Sequence, residues 1–192
     1  MNGQLLPLER QALHSWILKC RPRTVLEIGT WKGGGSTWQI ATALEELGAG
    51  RLTTLEINKE FYEEARTIYA GNQYVECKLE DSDSALRALK IPPNFTFFDG
   101  PNNAEKTLWG FKRIERLIQA AEDRSKNLED YWVSFHDWDP QVEKCREVRP
   151  YIKESPRQSN RPTWEIIDRL GAPEMKKDES VGIVLVKYAK SC

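Results

Sequence analysis

Apolar residues recur at three- and four-residue intervals near the start of the chain, and the spacing predicts an amphipathic helix over 8–19 with Leu8, Ala12, Leu13, Trp16 and Ile17 on its inner face. Pro22 closes it, because the residue before a proline is pushed out of the helical region. Further along, short β-rich runs alternate with stretches of helical period. Strands are expected at 24–28, 51–57, 74–79, 95–98 and 131–135, and helices at 36–47, 58–70 and 82–89. Ile40, Ala43, Leu44 and Leu47 form the inner stripe of the second helix, and Asn58 is placed to cap the third. Leu108, Phe111, Ile114, Leu117 and Ile118 mark one more helix. The last two strands, 164–170 and 181–188, have no helical pattern between them, so Gly171, Ala172, Pro173 and the polar run after them predict an antiparallel hairpin.

Strands and helices in strict alternation predict an α/β fold: a Rossmann-like, doubly wound, seven-stranded sheet, mostly parallel, with a C-terminal antiparallel hairpin and helices on both faces. No repeat, linker or low-complexity segment interrupts the series, so 1–192 is expected to be a single domain, with 1–22 as a leading helix packed on or beside the core. Whether that helix covers the sheet or pairs with a second subunit in a homo-oligomer is left open by the sequence.

Composition narrows the partners. With 40% hydrophobic and 30% charged residues the chain has a globular balance, which excludes collagen-like, coiled-coil and low-complexity classes. The 28 basic and 29 acidic residues leave a net charge of -1, no field with which to hold nucleic acid or an anionic membrane, so a small molecule is the expected partner. The uncharged apolar run at 181–186 is far short of a membrane helix, and Pro7, Glu9 and Arg10 break any secretory core, so the cytoplasm is the expected compartment. Cys20, Cys77, Cys145 and Cys192 form no Cys-x-x-Cys pair and are expected as free thiols.

Parallel sheets bind ligands beyond the carboxyl ends of their strands. Four places qualify: the turn after Ile28, Glu56, Asp99, and the pair His136 and Asp137. The turn has the glycine spacing of a P-loop, but Gly35 stands where the phosphate-binding lysine would be, which argues against an NTPase. A dinucleotide fingerprint needs a second glycine where Trp31 stands, so an NAD-dependent oxidoreductase is disfavoured. A ligand without phosphates, with an adenosine at one end and a charged amino acid at the other, suits such a turn; S-adenosylmethionine is that ligand.

From 24 to 188 the chain resembles class I S-adenosylmethionine-dependent methyltransferases, through Leu26-Glu27-Ile28-Gly29 with Gly33, then Glu56, Asp81 and Asp99-Gly100. The run Glu27 to Thr37, the Asp-Gly after the fourth strand and His136-Asp137-Trp138 after the fifth are similar to the small O-methyltransferase branch related to macrocin and cephamycin tailoring enzymes. The resemblance implies O-methylation of a small-molecule hydroxyl, with the cofactor held by Glu27, Gly29, Thr30, Gly33, Ser36, Thr37, Glu56, Asp81, Ser82 and Asp99. Glu56 would accept the ribose hydroxyls. Asp81, with Ser82 beside it, would meet the adenine amino group or cap the next helix; Ser36 and Thr37 would cap a helix or bind the cofactor's carboxylate.

At the reacting end the resemblance implies a metal cluster of Asp99, His136 and Asp137, able to hold Mg2+ against a catechol-like or vicinal-diol oxygen. Catalysis would fall to His136 and Asp99, with His136 as general base. One departure matters: the related pattern is Asp-Gly-x-His, and here Asn102 takes the histidine's place and accepts no proton at neutral pH. Either His136 or the metal then takes the proton, or the chain is a catalytically silent cofactor-binding or regulatory domain of the same fold. The segment 154–162, with Arg157 and Arg161, is expected to be a solvated loop, with a substrate lid as the alternative.

Overall fold

Phe97 and Phe98, neighbours on one strand, enter separate hydrophobic cores on opposite faces of a sheet. The computed structural model describes residues 5–100, 103–124, 129–138, 143–154, 163–170 and 182–189. Its elements, in order, are α1 (Pro7–Cys20), β1 (Thr24–Ile28), α2 (Ser36–Leu47), β2 (Arg51–Glu56), α3 (Lys59–Ile68), β3 (Val75–Leu79) and α4 (Ser82–Ala88). They continue with β4 (Phe95–Phe98), α5 (Ala104–Glu122), β5 (Trp132–His136), a 3-10 turn (Glu143–Cys145), α6 (Val148–Glu154), β6 (Thr163–Leu170) and β7 (Ile183–Ala189).

All seven strands form one sheet in the order β3-β2-β1-β4-β5-β7-β6. The pairs among β1 to β5 are parallel, and β7 inserts antiparallel between β5 and β6, as the missing helical pattern predicts. The reversal of strand order between β1 and β4 opens a crevice at their carboxyl ends. Side-chain alternation of period two explains the double core. Val25, Phe95, Phe97, Ile183 and Leu185 face α1 and α2, while Leu26, Ile28, Phe98, Val184 and Val186 face the side of α4, α5 and α6. Helices therefore cover both faces.

The leading helix lies on the sheet, and of its predicted face Leu13, Trp16 and Ile17 are buried with Ala12 packed beside them, while Glu9 takes the place of Leu8. Leu8 is 42% exposed, and Glu9 is fully buried in line with Leu13, Trp16 and Ile17. Trp16 Nε1 donates to Asp168 Oδ2 on β6 at 2.9 Å, tying α1 to the hairpin edge. The 3-10 turn and α6 are additions to the predicted series. Both Arg157 and Arg161 lie outside the described residues, as does nearly all of the expected loop or lid; Glu154 ends α6 instead. Cys20, Cys77 and Cys145 are free, and Cys192 lies outside the described residues. Among the described residues no helix is long and apolar enough to cross a membrane.

Candidate functional site

The turn after β1 is built by contact between strand tips. Gly29 and Thr30 both donate their N–H groups to Leu55 O, at 3.0 and 3.1 Å, which fastens the turn to β2. Gly29 has φ +98, and a Cβ there would sit 2.8 Å from the Asp99 carbonyl carbon and oxygen. Only glycine meets both demands. Trp31 is itself left-handed at φ 50, and its N–H reaches Glu56 Oε2 at 2.7 Å. The other oxygen of Glu56 accepts from Ile57 and Asn58 N–H at 2.9 and 2.8 Å. Glu56 thus fixes two loops while remaining in the wall of a cleft of about 380 Å³, a volume suited to a small ligand.

The cleft brings together Gly29, Thr30, Ser36, Glu56, Asp81, Ser82, Asp99 and Asp137. Three residues expected at the cofactor do not line it. Gly33 turns at φ +79 beneath Tyr69, whose hydroxyl donates to Gly33 O. Thr37 is fully buried and donates to Glu27 Oε2 at 2.7 Å; Thr54 donates to the same oxygen at 2.6 Å. Burial pushes the Glu27 carboxyl up to about 7, against the pull of the Ser36, Thr54 and Thr37 hydroxyls. Among the described residues Glu27 Oε1 has no hydrogen-bond partner. Glu27 and Thr37 therefore hold the turn from below. Asp81 caps α4, accepting from Ser84 N at 3.1 Å, and it lines the cleft as well. Ser36 lines the cleft in the first turn of α2, whose N-cap is Gly35.

In the same wall the tips of β4 and β5 hold an ionic cluster. Asp99 Oδ1 is 2.9 Å from His136 Nδ1 and 2.9 Å from Lys144 Nζ. Lys144 also reaches Asp137 Oδ2 at 3.1 Å. Asp137 adopts φ 59, a left-handed conformation that aspartate tolerates better than most residues. From α1, Glu9 Oε2 lies 3.3 Å from His136 Nε2, and its Oε1 accepts from Gly182 N at 3.1 Å. His136 is 2% exposed. Burial favours its neutral form, but the charge and hydrogen bond of Asp99, the hydrogen bond of Glu9 and the charge of Asp137 outweigh it and hold the imidazole up to about 10. Asp99 shows the reverse: burial raises its carboxyl, and Lys144 and His136 pull it below its ordinary value.

These facts correct the expected base. His136 stands behind the cleft wall with each ring nitrogen facing a carboxylate, so at neutral pH it is an imidazolium with no lone pair for an acceptor's proton. The metal cluster fares no better. Asp99, His136 and Asp137 do offer atoms within 4.8 Å of one another. However, the His136 nitrogen donates to Asp99 instead of offering a lone pair, and the Lys144 ammonium is bound by both carboxylates. This donor set does not fit Mg2+. Asn102, the departure from the related pattern, lies outside the described residues.

Sequence reasoning missed Glu9 and Lys144. A signal existed for Glu9, which falls on the stripe of Leu13, Trp16 and Ile17 at helical spacing. None existed for Lys144, whose placement depends on a 3-10 turn seven residues after Asp137.

Residues 26–138 match a family model described as a methyltransferase domain. A search among curated proteins by sequence gives no match. Solved structures with the same fold include an O-methyltransferase from Bacillus cereus in complex with SAH, at 20% identity and a TM-score of 0.69, covering 99% of this chain and 84% of that one. Another is the O-methyltransferase TomG from Streptomyces achromogenes, involved in tomaymycin synthesis and in complex with SAM, at 21% identity and a TM-score of 0.68, covering 95% and 80%. A third is cofactor-bound Rv0187 from MTB, at 19% identity and a TM-score of 0.71, covering 97% and 82%.

Proposed function

We propose that this chain, which belongs to the methyltransferase-domain family, binds S-adenosylmethionine in the cleft and methylates an oxygen of a small-molecule acceptor. The observation that carries the reading is the arrangement of one continuous cleft. The glycine turn, two acidic strand-end residues, Glu56 and Asp81, and the paired ionic cluster of Asp99, Asp137 and Lys144 all line it. The complexes of the Bacillus cereus enzyme with SAH and of TomG with SAM support it, since both share this fold.

The residues present fit that cofactor. Gly29 and Gly100 keep the floor bare: a Cβ on either would run into the opposite strand tip, at 2.8 Å from Asp99 and 2.7 Å from Ile28. Glu56 already accepts three backbone N–H bonds, which fix its carboxylate rigidly in the wall; a carboxylate has about four acceptor sites, so one remains for a ribose hydroxyl. Asp81 and Ser82 stand where the adenine end would lie, and Phe61 supplies an apolar surface beside them. When bound, S-adenosylmethionine supplies a methyl group on a positively charged sulfur, and the electron pair of the broken C–S bond returns to sulfur as the acceptor's C–O bond forms.

The chain's own work is positioning and charge. Fixing donor and acceptor in line removes much of the entropic barrier to the transfer. Asp99, clamped by His136 and Lys144, sets the floor of the acceptor end, and Asp137 shares the wall. His136 acts as a positioning residue through Asp99. Calorimetric titration with S-adenosylmethionine, with NAD as control ligand, tests the reading. Saturable binding of the first and none of the second is expected. An absence of S-adenosylmethionine binding would leave a fold without its cofactor, and the silent-domain reading would take its place.

A further inference from the structure

Lys144 is the one feature of the cleft that no sequence pattern announced. Its side chain is 1% exposed, yet it belongs to the cleft wall. Burying an ammonium costs several kcal/mol unless it is closely paired. Here it is paired twice, at 2.9 Å from Asp99 Oδ1 and 3.1 Å from Asp137 Oδ2, the two carboxylates that a divalent cation would use. Those two bonds use two of the three N–H groups of the ammonium, and among the described residues no third acceptor takes the last.

Resting on the methyltransferase reading above, we infer that the Lys144 ammonium is the resident cation of the acceptor end, standing where a divalent metal would bind and holding the acceptor's oxygen in its stead. The placement accounts for both carboxylates at once. Asp99 and Asp137 are brought together by β4 and β5 and would repel each other without cations. His136 faces one oxygen of each, at 2.9 and 3.6 Å, and Lys144 bonds to both residues, at 2.9 and 3.1 Å. A lysine supplied by the following 3-10 turn adds a positive charge to the pair and keeps one donor in the wall of a ligand-sized cleft. An ammonium is a single point charge and binds one oxygen through one N–H, whereas Mg2+ offers several coordination positions at once.

The step balances with the methyl donor alone. The acceptor oxygen, held by Lys144 Nζ, forms its bond to the methyl carbon while the C–S bond breaks and its electron pair goes to sulfur. The hydroxyl proton passes to Asp137 Oδ1, the oxygen that Lys144 does not touch and that lies 3.6 Å from His136 Nδ1, and from there to water. No oxidant, reductant or metal enters.

The test is uptake of Mn2+ by the full chain, followed through the electron paramagnetic resonance signal of the free ion. Wild-type protein at millimolar Mn2+ is expected to take up none at this site. Lys144→Ala, which frees both carboxylates, is expected to take up one equivalent that Asp99→Asn in the same background removes. Uptake by the wild-type chain that Asp99→Asn abolishes overturns the inference. A folded Lys144→Ala that takes up no Mn2+ overturns it as well, because the carboxylates would then not be a cation site. Uptake that Asp99→Asn leaves intact lies elsewhere and counts as none. If Lys144→Ala fails to fold, the wild-type titration decides alone. Calorimetry with S-adenosylmethionine on the same wild-type preparation separates the two claims: lost cofactor binding sinks the functional reading, and Mn2+ uptake sinks only this one.

Discussion

His136 and Lys144 meet on a single atom: His136 Nδ1 and Lys144 Nζ both lie 2.9 Å from Asp99 Oδ1. Two cations converging on one carboxylate oxygen make that oxygen a poor base and a firm anchor. The sheet supplies this geometry, since β4 and β5 run parallel and end side by side, with Phe98 paired to Phe135 just before the two acidic tips.

Stability follows the protonation of His136. Its folded-state pKa of about 10 lies above the ordinary 6.5, so its contribution is complete below the ordinary value and is lost as pH rises through the folded one. The stability difference between wild type and His136→Gln in urea unfolding is therefore expected to shrink steadily from pH 7 to about pH 10. A difference that stays flat across this range would refute the charged imidazole. On the acid side Asp99 works the other way: its contribution is present above the ordinary carboxyl value and fades as pH falls through the depressed one.

Glu27 carries the opposite sign. Burial raises its carboxyl from 4.5 to about 7, so the folded state holds a proton that the unfolded state has released, and stability falls between those values. Above about pH 7 the cost is complete. Glu27→Gln is expected to be more stable than wild type by on the order of 2 kcal/mol at pH 8 and nearly equal to it at pH 4. Thermal unfolding at the two pH values measures this, and equal shifts at both would point to packing instead of charge.

Removing the Glu56 carboxylate releases three backbone N–H groups, those of Trp31, Ile57 and Asn58, and any ribose contact with them. Each such bond to a charged acceptor is worth about 1.5–3 kcal/mol, so Glu56→Ala is expected to weaken S-adenosylmethionine binding by about 100-fold or more. Calorimetric affinity within threefold of wild type, in a folded variant, would remove Glu56 from the cofactor site.

Gly29→Ala tests the close approach of β1 to β4. The new Cβ would lie 2.8 Å from backbone atoms of Asp99, at a φ of +98. Neither strand tip can move without breaking the Gly29 and Asp99 ladder bonds to Leu55 and Ile28. A loss of about 2–4 kcal/mol in unfolding free energy is expected, together with loss of cofactor binding. An unchanged melting temperature would show that the turn is looser than its contacts imply.

The sheet was legible because its signals are local. Apolar runs such as 95–98 need only their own composition to read as buried strands, and the missing helix before β7 marks the antiparallel return. Strand-end residues Glu56, Asp81, Asp99 and Asp137 were legible for the same reason, since the topology puts strand ends on one rim. Chemistry between elements was not. The charge on His136 depends on Glu9, which arrives 127 positions away in sequence, and a polar residue on an apolar stripe reads as an interruption of the helix face. Lys144 sits in a run of charged residues and differs from them only through the turn that folds it inward. Thr37 reads as a cofactor contact until the orientation of α2 turns its hydroxyl to Glu27.

The Glu9 bonds also set a timetable. One oxygen of its carboxylate holds Gly182, 173 residues away, and the other faces His136. During synthesis α1 emerges early, with Glu9 Oε2 accepting the nearby Leu6 N–H at 2.9 Å, whereas the Gly182 N–H that its Oε1 accepts is made near the end of the chain. Contacts of such long sequence separation form late and slowly. The bonds of Glu9 are therefore completed only once the chain has reached β7, which lies between β5 and β6. A nascent chain stalled before that strand would carry every charged member of the cluster and still lack the Gly182 N–H that Glu9 holds.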